Sequence, residues 1–204
     1  MKIKKVKFFL LTIGLVFLTK FVAADSPLTS TPFSDAYSDV QMVSIAKTAG
    51  QMNPQIAAYL HGSSVSIDKK AAVINALGWD HVGVSNSLSY CNFVFGRTVG
   101  EDEINSLPAS EVFVIGYLNA MDAYMNPDGA LPFLKQARYL LGNSYTVNII
   151  YGLVKSQKAF EGDFCKAWKH VNKVFMNSSL DMDMREDARK IIYDYMVLYK
   201  GDCK

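Results

Sequence analysis

Three cysteines and three histidines are the residues whose types promise chemistry in this chain. Cys165 opens one amphipathic segment near the C-terminus and Cys203 follows the end of the next. An antiparallel pair of helices brings those two ends together, and a bridge there stabilises the fold by about 4 kcal/mol through loop closure; the alternative is two free thiols. Cys91, set among Tyr90, Phe93, Val94 and Phe95, reads as a buried, inert thiol. No two of His61, His81 and His170 have metal-ligand spacing and there is no C-x-x-C, so no metal site is expected. His170 lies beside lysines on a polar face and reads as solvated. His61 precedes Gly62 at a helix end, where a cation suits the dipole. Trp79-Asp80-His81 places an acid, a base and an aromatic wall in a glycine-bearing loop, which makes Asp80 and His81 the catalytic candidates. The structural alternative is a loop whose tryptophan plugs the core.

Other patterns are weaker. Asp181, Asp183, Glu186 and Asp187 cluster, but a calcium loop starting at Asp181 needs glycine where Glu186 stands and glutamate where Ile192 stands. Negative charge favouring a helix N-terminus is the better account. Phosphate-binding glycine loops are absent, so no nucleotide cofactor is expected. Ser66-Ile67-Asp68-Lys69 matches S-x-x-K and Tyr90-Cys91-Asn92 matches Y-x-N. The two together faintly resemble serine acyl-enzymes of the penicillin-binding class, which implies a serine nucleophile, but the K-T-G strand of that class is missing. Eleven tyrosines are present. Those reaching the surface of a helical array offer area at low entropic cost, and Trp79, Tyr117, Tyr124 and Tyr151 are the candidate binding residues.

The N-terminus carries four lysines among its first seven residues and then twelve uncharged, mainly apolar residues from Phe8 to Thr19. Val22-Ala23-Ala24 supplies small residues for a cut after Ala24. This order predicts a signal peptide over 1–24, since the uncharged run is shorter than the roughly 20 residues a spanning helix needs. No later run is long enough either. Cleavage removes five lysines and no acid, so the formal charge passes from +2 to −3. The protein is therefore not expected to bind nucleic acid. Residues 25–36, polar and punctuated by Pro27 and Pro32, read as a flexible arm. Residues 37–204 are long enough for a single domain with a sizeable core.

These residues need elements to position them. Phe164, Ala167, Trp168, Val171, Val174 and Phe175 recur at helical spacing with lysines opposite. So do Ala188, Ile191, Ile192, Tyr195, Leu198 and Tyr199, stopped by Gly201. The two segments read as a helical hairpin. Upstream stripes predict helices over Val147–Val154, Leu131–Leu141, Val112–Met125 and Asp68–Leu77, with Val112–Met125 the most buried. Asn53-Pro54 and Asn126-Pro127 read as helix starts. Thr98-Val99-Gly100-Glu101 has the form of a capping box. Ser89–Phe95 fits either a helix or a strand, given its aromatic and β-branched content. A faint echo links Ser38-Asp39-Val40 and Met52-Asn53-Pro54 with Ser110-Glu111-Val112 and Met125-Asn126-Pro127. Leu141-Gly142-Asn143-Ser144-Tyr145 matches the tetratricopeptide L-G-x-x-Y core, without that repeat's downstream residues.

The expected fold is all-α: an irregular bundle or short array of helical hairpins, with one short β element around 89–95 as an option. With no catalytic set complete and many helix–helix grooves available, the expected function is that of an exported, noncatalytic binding or scaffold protein. It would act in a periplasm or outside the cell on a protein or peptide partner, without a cofactor. The alternative is a small exported hydrolase using Asp80 and His81.

Overall fold

Local signals place several helix ends. Asn53 accepts a hydrogen bond from the Ile56 N–H and Pro54 begins the next helix, as an N-cap and N1 proline should. Gly78 stops another helix with φ +75°, a conformation that side chains with a Cβ rarely adopt. The computed structural model describes residues 26–79 and 83–204. Over these residues the chain forms α1 (Gln41–Ala49), α2 (Pro54–His61), α3 (Ile67–Leu77), α4 (Asn86–Phe95), α5 (Ala109–Asp122), α6 (Leu131–Leu140), α7 (Tyr145–Ala159), α8 (Phe164–Phe175) and α9 (Glu186–Met196). Short 3₁₀ segments cover Phe33–Tyr37, Glu101–Ser106, Pro127–Ala130 and Val197–Asp202. The fold is all-α, with no strand among the described residues.

The optional β element around 89–95 is corrected: Ser89–Phe95 belongs to α4. Ser85 caps it by accepting the Leu88 N–H, and Gly96 ends it in the left-handed region. Those end signals outweigh the strand-like composition between them. The capping box is also corrected in detail. The contact is made by Glu103, whose carboxylate accepts the Gly100 N–H, and not by Thr98.

α5 and α7 run through the middle of one continuous apolar core and are buried along most of their length. α6 packs closely on α5, because Gly116 leaves room that a Cβ would fill at 2.8 Å from the Phe133 Cβ. α8 lies along α7. The C-terminal pair is not a plain hairpin. α9 packs mainly on the 3₁₀ segment Phe33–Tyr37, touching α8 through the ring of Tyr193, and the terminal segment Val197–Asp202 returns to α8.

This docking corrects the flexible arm over 25–36, for the residues described from Ser26 on. Leu28 and Phe33 are core residues, and the Ser26 hydroxyl donates to Gln157. Arg185, just before α9, donates to the Ala36 carbonyl at 2.9 Å, pairs with Asp39 and lies over the Tyr37 ring at 4.4 Å. The polar composition of the arm concealed two large apolar side chains, Leu28 and Phe33, that anchor it beside Tyr37. The expected signal segment 1–24 lies outside the described residues. Among the described residues no helix is long and apolar enough to cross a membrane.

One capping device occurs twice. Ser85 caps α4 while its hydroxyl donates to Asp122 Oδ2, and the same carboxylate accepts the Asn86 and Ser87 N–H groups. Ser144 caps α7 while its hydroxyl donates to Asp183 Oδ2, and that carboxylate accepts the Thr146 N–H. Each aspartate comes from a distant element and neutralises the positive end of a helix.

Candidate functional site

The concavity with the most concentrated chemistry is built on the outer face of α7, closed by α6 on one side and α8 on the other. α7 starts rigidly, because Ser144 and Asp183 take up its first N–H groups. Asp181 laces the preceding turn to the loop after α8: its N–H donates to the Asn143 carbonyl at 2.8 Å and its carbonyl accepts the Tyr145 N–H at 3.1 Å. Asn148 then lies 5% exposed, its amide nitrogen donating to the carbonyls of Gly142 and Ser144 at 2.9 and 2.8 Å. That orientation turns its Oδ1 outward to accept from Arg138 Nε at 2.7 Å.

Arg138 is thereby held over the Tyr151 ring, 5.5 Å from its centroid, and Lys155 approaches the same ring at 5.6 Å. α8 contributes His170 and Lys173; Val174 and Leu180 supply an apolar floor and Asn177 the rim. The enclosed volume is about 220 Å³. Wider concavities beside Tyr139, including one of about 540 Å³, are shallower and lack this concentration of charge.

Electrostatics set this site apart. The lining holds no carboxylate, thiol or aliphatic hydroxyl. Among the described residues, Arg138, Lys155, Lys173 and His170 form no ion pair. Burial and mutual repulsion both disfavour charge on the groups that share this concavity. Burial first, then the charges of Lys155, Lys166 and Lys173, hold the His170 imidazole down to about 4. Burial, then Lys173, Arg138 and Lys166, hold the Lys155 ammonium below the usual lysine range. His170 is therefore neutral at pH 7, while the two lysines and the arginine hold positive charge against one another. The arrangement can hold an anion.

The residues expected from the sequence fall in several places. Trp79 and Tyr124 do come together, with ring centroids 4.8 Å apart, at a surface away from the pocket. Tyr151 lines the pocket. Tyr117 is corrected: it is 0% exposed inside α5, so it contributes to the core and not to a binding surface. Helical spacing alone does not separate a core tyrosine from a half-exposed one. Asp80 and His81 lie outside the described residues. Cys165 and Cys203 stand at disulfide distance, their Cα atoms 4.7 Å apart, and Cys91 is buried, with burial pushing its thiol up to about 11. Ser66 is exposed at the start of α3, whereas the Tyr90 hydroxyl is buried against Glu111, so the S-x-x-K and Y-x-N patterns form no catalytic pair. Among the described residues no three His, Cys, Asp or Glu side chains are arranged to hold a metal ion.

Sequence reasoning missed Arg138, Asn148, Lys155 and Lys173, and took His170 for a solvated residue. The available signal was the run Lys166, Lys169, His170 and Lys173 on one face of α8, which reads equally well as ordinary solvated charge. No protein-family model, curated protein or solved structure matches this chain.

Proposed function

We propose that this chain is a noncatalytic binding protein working outside the cytoplasm, and that the pocket between α6, α7 and α8 receives an anionic group of its partner. The observation that carries this reading is the set of three cations, Arg138, Lys155 and Lys173, gathered around one concavity with no acid to neutralise them. Uncompensated like charges at close range are unfavourable, and an anion relieves them. The signal-like N-terminus and the cysteine pair at disulfide distance support an oxidising, extracytoplasmic setting.

The test is a ¹⁵N–¹H titration at about 20 mM salt, where screening is weak, with inorganic phosphate and acetate as probes. The expected result is saturable movement of the Asn148, Tyr151, Gly152 and Asn177 amides. Changing Arg138, Lys155 and Lys173 together to alanine should abolish it. Amides that stay still with both probes would refute the reading.

A further inference from the structure

Given the anion-binding reading above, we infer that the group the pocket selects is a carboxylate within an acidic polypeptide segment, and that Arg138 is its selecting residue. Four features of the site lead there. Arg138 is pre-oriented: Asn148 fixes its Nε at 2.7 Å, leaving the two Nη groups as a planar fork. A fork of this kind grips a carboxylate through two parallel hydrogen bonds with little further loss of side-chain freedom.

Backbone donors are the second feature. Sites for phosphate dianions draw on free N–H groups at a helix N-terminus or a backbone nest. Here the N–H groups of the first turn of α7 are already taken, by Asp183 at Thr146 and by Ser144 at Val147 and Asn148. The pocket instead meets the last turns of α6 and α8, where Arg138 and Lys173 lie. Those carbonyl ends carry partial negative charge and reduce the cationic field.

The third feature is Tyr151. Both Arg138 and Lys155 already lie against its ring, so the one phenol ring of the lining is not a free platform for base stacking. Without the five lysines of the expected signal segment, 21 basic residues fall to 16 against 19 acidic ones, which is not the global field of a nucleic-acid binder.

Lastly, the cations do not stop at the rim. Lys166 and Lys169 continue the exposed face of α8 away from Lys173, over roughly 10 Å at 1.5 Å per residue. A run of acidic side chains can follow that stripe, which a single small acid cannot.

The experiment compares octaglutamate, inorganic phosphate and octathymidylate in the same titration, on the wild type and on Arg138→Lys. Octaglutamate should bind roughly 10-fold more tightly than either other probe. Arg138→Lys, which keeps the charge but removes the fork, should lose roughly 10-fold in octaglutamate affinity, about one charge-assisted hydrogen bond, with amides away from the pocket unchanged. Phosphate or octathymidylate binding as tightly as octaglutamate, or an unchanged affinity in Arg138→Lys, overturns the carboxylate assignment alone. If no probe moves the pocket amides, the anion-binding reading itself falls.

Discussion

Two polar regions of this protein use similar side chains to opposite ends. Between α2, α3, α4 and α5, Glu111 is buried: it accepts the Tyr90 hydroxyl at 2.5 Å and lies 3.3 Å from His61 Nδ1. Lys70, 1% exposed, faces the same carboxylate electrostatically. Burial lowers the pKa of its ammonium, and Glu111 pulls it partly back. Burial, then Glu111, push the Tyr90 phenol well above its ordinary range. In the α6–α8 pocket a histidine, a tyrosine and lysines meet again, but the acid is missing and the cations face a concavity. The first region gathers its charges around one buried acid and contributes to the fold. The second leaves its charges uncompensated within reach of solvent, the condition under which a charge is available to a ligand. Two acids of the C-terminal half serve helix starts instead, Asp183 at α7 and Asp163 at α8.

This contrast can be broken by experiment, starting with the largest effect. In the pocket's half Cys165 and Cys203 stand at disulfide distance, separated by 38 residues. Cys165→Ser should cost about 4 kcal/mol in urea unfolding by the loop-entropy relation, while phosphate still moves the pocket amides in the folded fraction. Loss of binding together with stability would mean that the pocket depends on that pair. Glu111→Ala should cost about 3 kcal/mol, because it strands the Tyr90 hydroxyl and removes the negative charge that faces the buried Lys70. Glu111→Gln, which keeps an acceptor for Tyr90, should cost less. A loss under about 1 kcal/mol for both would show that the buried region is not a structural knot. Asp183→Ala should cost about 1 kcal/mol through its lost capping bonds, and Asp122→Ala a similar amount.

Smallest in stability is Lys155→Ala. Unfolding should move by less than about 0.5 kcal/mol, while anion affinity falls and the His170 pKa rises, since Lys155 is the strongest charge acting on it. The pH dependence has a defined sign. His170 titrates near 4 in the folded chain against an ordinary value of 6.5, so as pH falls the unfolded chain takes up this proton first. Its contribution to stability is full above about pH 6.5 and is lost between there and about pH 4. A bound anion should raise the His170 pKa, read from its imidazole NMR shifts. An unmoved pKa on saturation would place the anion elsewhere.

Much of the fold is legible residue by residue. The stripe from Phe164 to Phe175 is α8, Asn53-Pro54 starts α2 and Gly78 ends α3, because apolar period, caps and left-handed glycines act within a few residues of chain. The reading faltered where local signals were mixed, as at Ser89–Phe95, or where composition misled, as with the arm containing Leu28 and Phe33. For the site, only Tyr151 was singled out, and for the area of its ring, not for the cations around it. The negative charges near α9 were expected to serve that helix. Asp183 instead serves α7, a choice made by the loop that crosses back beside Asn143.

What the chain determined by itself is therefore short-range: where helices begin and end, which face of each is apolar, and that the two distant cysteines were available to pair. Only the tertiary packing decided that Arg138, Lys155 and Lys173, from three different helices, surround one concavity without an acid. The physical reason is range. Backbone capping and apolar periodicity are satisfied over one or two helical turns, whereas the field inside a pocket is the sum of charges that meet only after the helices have packed.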